Sequence, residues 1–106
     1  METFVNDTPR ITLDTGIDIS GYATLQIRYR KPDGTTGCWT ATECAYSNEC
    51  IYYDVELYEL DQEGTWLVQG VVLDTGVRLT GRWCKIKVHE PLAEFCTTVP
   101  PTTPAP

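Results

Sequence analysis

Tyr29-Arg-Lys-Pro-Asp-Gly-Thr-Thr-Gly-Cys-Trp-Thr-Ala-Thr42 is the stretch that decides the fold. Pro32-Asp33-Gly34 sits between two alternating runs. Pro32 presets φ for a first central turn position, Asp33 tolerates a tight bend, and Gly34 accepts positive φ. Before the turn, Leu25, Ile27 and Tyr29 point one way while Gln26, Arg28 and Arg30 point the other. After it, Trp39 and Ala41 alternate with Thr40 and Thr42. A period of two on both sides of a turn predicts a β-hairpin, with strands at about 23–30 and 37–43 and one face in a core.

Outward from the hairpin the same pattern repeats. On the N-terminal side, Pro9 starts an extended run from Arg10 to Leu13, and Asp14-Thr15-Gly16 makes a turn. Ile17 to Ile19 follows as a short extended piece, and Ser20-Gly21 is another turn. On the C-terminal side, residues 44–50 read as a loop with Ser47-Asn48 at its tip. Cys50 to Leu57 reads as a strand that places Ile51, Tyr53, Val55 and Leu57 on one face, and an acidic turn ends at Gly64. Thr65 to Leu73 is the most apolar strand. It reverses at Asp74-Thr75-Gly76 into Val77 to Val88. There the phase changes: Val77, Leu79 and Trp83 share one parity, and Cys84, Ile86 and Val88 the other. A slip beside a glycine predicts a β-bulge around Gly81 to Trp83.

About seven short strands with frequent turns and no helix predict an all-β fold, a single antiparallel immunoglobulin-like β-sandwich with Trp39 as a core aromatic. The domain covers residues 10–90. Residues 1–9 read as an N-terminal arm whose Phe4 and Val5 dock on a neighbour or on the domain itself. Residues 91–106 read as a Thr/Pro-rich tail.

With 106 residues there is room for one domain. Eight Lys+Arg against 15 Asp+Glu leave a net charge of −7, which argues against nucleic acid as a partner. No apolar run approaches the roughly 18 residues of a membrane span. Met1-Glu-Thr-Phe-Val-Asn-Asp7 lacks the basic start and apolar core of a signal peptide, so synthesis in the cytoplasm is expected. Five cysteines, Cys38, Cys44, Cys50, Cys84 and Cys96, include no C-x-x-C pair. Free thiols are the expectation for that compartment, and Cys44 and Cys50 bridge only if the loop between them brings two strand ends together.

No arrangement of residues declares a catalyst, and no cofactor or metal is expected. Leu-Asp-Thr-Gly occurs at 13–16 and again at 73–76. Aspartic proteases use such turns to make two carboxylates share a proton. However, Ile17 and Val77 stand where a small residue is needed, and Asp-Thr-Gly is also plain turn chemistry. The acidic series Asp54, Glu56, Glu59, Asp61 and Glu63 lacks the spacing of a calcium loop and reads as a solvated face and turn. His89 is too far from the first three cysteines for a zinc site.

Three runs carry a family resemblance: Ile11-Thr-Leu-Asp-Thr-Gly-Ile-Asp-Ile-Ser-Gly21, Ile27-Arg-Tyr-Arg-Lys-Pro-Asp-Gly-Thr-Thr-Gly-Cys-Trp39-Thr-Ala41, and Gly64-Thr-Trp-Leu-Val-Gln69. Together they resemble small tailed-phage and prophage virion proteins similar to the N-terminal β-sandwich module of phage upper-baseplate proteins. The resemblance implies a non-enzymatic virion component, a tail or baseplate adaptor or a capsid decoration subunit. Such a protein is present in many copies, resides in the virion and binds other virion proteins. The contact residues expected are Phe4, Val5, Tyr46, Tyr52, Leu92, Phe95, Val99, Pro100 and Pro101. A second reading is a host-surface or glycan-binding module that uses Tyr46, Tyr52 and Trp39.

Overall fold

The computed structural model describes residues 1–92. Most of the expected tail, with Phe95, Val99, Pro100 and Pro101, lies outside the described residues. The fold is all-β, an immunoglobulin-like sandwich of two sheets. Its eight strands are β1 (Glu2–Phe4), β2 (Arg10–Asp14), β3 (Thr24–Arg30), β4 (Thr36–Thr40), β5 (Thr42–Glu43), β6 (Cys50–Asp54), β7 (Gly64–Asp74) and β8 (Val77–His89). A five-stranded sheet has the order β1-β8-β7-β3-β4, and a three-stranded sheet the order β2-β6-β5.

The hairpin that organises the sequence forms β3 and β4, with Ile27 opposite Trp39 and both buried. Gly34 takes φ 91°, and its N–H donates to the Lys31 carbonyl at 2.9 Å. The returning strand is shorter than alternation predicts. At Ala41 the chain crosses to the other sheet, where Thr42 and Glu43 pair with Tyr52 and Ile51 of β6. The strand beginning at Cys50 also ends early, at Asp54, and Leu57 is exposed rather than in the core. The Glu59 carboxylate accepts the Glu56 N–H at 2.7 Å and Tyr58 takes φ 71°, so the chain is already turning there.

The bulge falls where the phase change places it. Gln69 pairs with Trp83 and Val71 with Thr80, so Gly81 and Arg82 together oppose Gly70. A side chain on Gly81 would lie 3.0 Å from the Thr15 carbonyl of the facing layer. This one-residue insertion turns Val77 and Leu79 to the same face as Ile86 and Val88. It turns Trp83 to the opposite face, away from the two residues with which simple parity groups it.

Residues 1–9 are not a free arm. Glu2–Phe4 adds to the end of β8 as a parallel edge strand, Val5 packs against the core, and the Val5 N–H donates to the His89 carbonyl at 2.9 Å. An unpaired edge of β8 leaves backbone donors and acceptors to satisfy, and the chain's own start satisfies part of them.

Between the sheets lie Ile11, Ile27, Ile51, Leu60, Trp66, Val68, Val72 and Ile86. A run of rings crosses this core. Trp66 and Tyr29 have centroids 5.6 Å apart, Tyr29 and Trp39 4.5 Å, and Trp39 stacks on Tyr53 at 4.9 Å.

Candidate functional site

Alternation gives the five-stranded sheet a second, outward face. Ile27, Trp39, Trp66, Val68 and Ile86 point into the core. Their neighbours Arg28, Cys38, Leu67 and Lys85 therefore point out. Register aligns these outward residues into rows across four strands. Cys38, Arg28, Gln69 and Trp83 form one row, and Thr36, Arg30, Leu67 and Lys85 the next.

This face has an open basin of about 810 Å³, lined chiefly by Gln26, Arg28, Arg30, Cys38, Leu67, Gln69 and Trp83. Trp83 is 56% exposed, the most exposed of the chain's large aromatic core-type residues on this face. Gln69 lies flat because its amide donates to the Gly81 carbonyl of the bulge at 3.0 Å. Gln26 Oε1 is buried without a donor. Tyr29 instead turns its ring to the core side of the sheet, over its partner Gly37; a Cβ there would collide with the Tyr29 hydroxyl.

The electrostatics of the face differ from those of the whole chain. Arg28, Arg30, Lys85 and Lys87 are four of the chain's eight Lys and Arg. Among the described residues none of them pairs with a carboxylate, whereas Arg10 is held by Asp54 and Lys31 by Asp61. Among the outward strand positions of this sheet the one described carboxylate is Glu2, and it meets His89 at 3.2 Å. The remaining acids among the described residues gather at the sandwich ends and on the smaller sheet.

The expected contact residues do not assemble into one site. Phe4 is on β1 with its ring 5.5 Å from that of His89, and Val5 is partly buried against the core. Tyr46 is 80% exposed on the 44–50 loop, with its hydroxyl 3.4 Å from Cys50 Sγ. Tyr52 lies on the smaller sheet under the Arg10 guanidinium, 4.1 Å from its ring centre. Leu92 is fully exposed just after β8. A sugar-stacking platform of Tyr46, Tyr52 and Trp39 does not form, because Trp39 is 6% exposed and Tyr52 is capped by Arg10.

The paired Asp-Thr-Gly turns are also separated. Asp14 ends β2 in the smaller sheet and accepts the Gly16 N–H at 2.9 Å, while Asp74 ends β7 in the larger sheet and accepts the Thr75 N–H at 2.7 Å. Each carboxylate closes its own turn, so no shared-proton dyad exists.

The acidic series is dispersed into structural roles. Asp54 takes both Nε and a terminal nitrogen of Arg10, at 2.7 and 3.0 Å, and this hydrogen bonding holds its carboxyl below the usual range. Glu59 accepts the Tyr53 hydroxyl at 2.6 Å and the Trp39 indole N–H at 3.0 Å. Burial, then the Glu59 bond, pushes the Tyr53 hydroxyl well above its ordinary pKa.

Cys44 and Cys50 form a disulfide, with Cα atoms 5.3 Å apart, so the expectation of free thiols is corrected for this pair. The Cys44 N–H donates to the Cys50 carbonyl at 2.8 Å, which shows the loop bringing the two strand ends together. Cys38 and Cys84 are free and exposed.

No protein family and no curated protein matches the sequence. The fold is similar to the crystal structure of CopC from Methylosinus trichosporium OB3b, with a TM-score of 0.58, 15% identity and coverage of 89% of this chain and 88% of that one. That likeness shows the sandwich fold. It also overturns the functional expectation: the matched structure is CopC and not a phage tail, baseplate or capsid protein. The virion adaptor or decoration role, the glycan-binding and protease readings attached to it, and residence in a virion are withdrawn on this finding.

Sequence reasoning missed Arg28, Arg30, Trp83 and Lys85 as a group. The signal was present in part, since Arg28 and Arg30 alternate with core residues on one strand. Trp83 and Lys85 join them only through strand order and the bulge.

Proposed function

We propose that this protein works by binding rather than by catalysis, and that its contact surface is the outward face of the five-stranded sheet, where it takes a negatively charged partner. One observation carries the reading: unpaired cations are collected on one face of an acidic protein, around an exposed tryptophan. Arginine and tryptophan are the residue types that concentrate binding energy in interfaces. A patch of one sign on an otherwise opposite surface steers and orients a complementary partner. The Cys44–Cys50 disulfide supports residence in an oxidising compartment, because such bridges rarely persist in a reducing cytosol.

A titration with polyglutamate followed by amide and indole NMR tests the surface. Shifts are expected at Arg28, Arg30, Lys85 and the Trp83 indole. They should fade as salt shortens the Debye length from about 10 Å toward about 3 Å. Shifts confined to the smaller sheet, or none at low salt, would remove this face from consideration. Recovery of a Cys44–Cys50-linked peptide from the protein in its native compartment tests the location; recovery of the two thiols reduced would count against it.

A further inference from the structure

Resting on that reading, we infer that the partner is an acidic polypeptide segment bound in extended conformation along β7, with carboxylates at alternate positions. The geometry begins with the relief of the outward face. Leu67 and Gln69 form a low floor, because Gln69 is tied down to the Gly81 carbonyl. Arg28 and Arg30 stand on one side, on β3. Trp83 and Lys85 stand on the other, on β8. The result is a trough that runs parallel to β7.

Its dimensions suit a single extended chain. The walls are two strand steps apart, about 10 Å, which is the thickness of one sheet layer with its side chains. Arg28 and Arg30 are two residues apart on one strand, so their stems are spaced by about 7 Å, the same repeat as side chains i and i+2 of an extended peptide. A strand laid in the trough therefore brings successive same-face carboxylates to successive guanidiniums, each of which can hold a carboxylate with two parallel hydrogen bonds. Lys85 supplies the opposite wall with a further cation. Trp83 offers an apolar plate for the side chain beside it.

A peptide fits better than a nucleic acid strand on charge. The chain's net charge of −7 repels a dense phosphate polymer more strongly than a short acidic segment.

The test compares two fluorescein-labelled ten-residue peptides of identical composition, read by fluorescence anisotropy with the full chain. One has glutamates at alternate positions, and the other has them in a block. The alternating peptide is expected to bind at least ten-fold more tightly. R28E and R30E should each abolish that preference, and W83A should weaken binding several-fold, with circular dichroism unchanged in all three. Equal binding of the two peptides, still lost in R28E, would overturn the strand geometry while leaving the anion-binding face intact. Tighter binding of a single-stranded oligonucleotide of equal charge would overturn the peptide assignment. Sedimentation of the protein alone that changes from dimer to monomer in R28E would assign the trough to a second copy and overturn it too. Indifference of the wild-type protein to every anion would overturn this inference and the reading beneath it together.

Discussion

Glu59 is the side chain on which the aromatic core closes. Its carboxylate accepts from Tyr53, Trp39 and the Glu56 backbone. Glu59→Ala leaves the buried indole N–H and phenol without an acceptor, and is expected to cost about 2–3 kcal/mol in urea denaturation. Adding Tyr53→Phe should recover part of that loss, because one stranded donor is then removed. Wild-type stability in Glu59→Ala would show that water replaces the carboxylate. Tyr53 has a second consequence. Its folded pKa is raised above its unfolded value, so the unfolded state releases its proton first and stability falls as pH rises from about 10. A thermal melt series through that range should decline less steeply in Tyr53→Phe.

The surface aspartates act at the opposite end of the scale. Asp54 is lowered by Arg10. Asp33 is lowered by the Thr35 N–H and hydroxyl and by Gln62, and Asp18 by the Ser20 hydroxyl and N–H. Groups with depressed folded values contribute stability above the unfolded carboxylate pKa of about 4 and lose it as pH falls through the folded value. All three are exposed, so the effect is screened by solvent and salt. Melting temperature should hold level from neutral pH to about 5 and fall below about 4. The fall should be shallower in Asp33→Asn and Asp54→Asn; an identical profile in both variants would place the acid sensitivity elsewhere.

Among the elements, the 44–50 loop works as a pad. Its Asn48 carbonyl accepts the Ile19 N–H at 2.8 Å, and its Glu49 carbonyl accepts the Thr15 N–H at 2.7 Å. Thr15 and Ile19 are both buried, and a Cβ on Gly70 would lie 3.1 Å from the Thr15 methyl. The disulfide thus steadies a segment that plugs one end of the sandwich. Replacing both Cys44 and Cys50 by Ser should lower stability by about 2 kcal/mol, the loop-entropy value for so short a ring. Hydrogen exchange should quicken at Thr15 and Ile19 before it does in β3 and β7. Uniform quickening would mean the pad has no local role. The first residue of β7 has its own constraint. Gly64 takes φ 125°, and a Cβ there would lie 2.8 Å from the Pro32 ring of the organising hairpin. Gly64→Ala is expected to destabilise by about 1–3 kcal/mol in the same denaturation assay.

At the scale of the molecule, the sandwich sorts charge. A chain with 15 acids and eight Lys and Arg presents a face where unpaired cations predominate. Clustered like charges destabilise slightly when nothing opposes them. R28E combined with R30E is therefore expected to leave the urea midpoint unchanged or slightly raised while removing polyglutamate binding. A marked loss of stability would instead give these arginines a structural role in the basin.

Much of the architecture was legible from pattern alone. Period-two alternation around Pro32-Asp33-Gly34 predicts β3 and β4, because a strand buried on one face must alternate. The parity change near Gly81 predicts the bulge, because one inserted residue inverts every later side chain. Asp-Thr-Gly could be read as turn chemistry, since an Asp carboxylate can accept a nearby backbone N–H. Other features follow from contacts between residues distant in sequence, which no local period records. These include the parallel docking of Glu2–Phe4, the meeting of Glu59 with two aromatic donors and the closing of Cys44 on Cys50. The candidate site belongs to the same class. Strand order puts β7 between β3 and β8, and the bulge turns Trp83 outward, so that Arg28, Arg30, Trp83 and Lys85 meet across chain separations that composition averages away. The hairpin at 29–42 was determined by its own sequence; what its outward arginines face was decided by the strands that packed beside it.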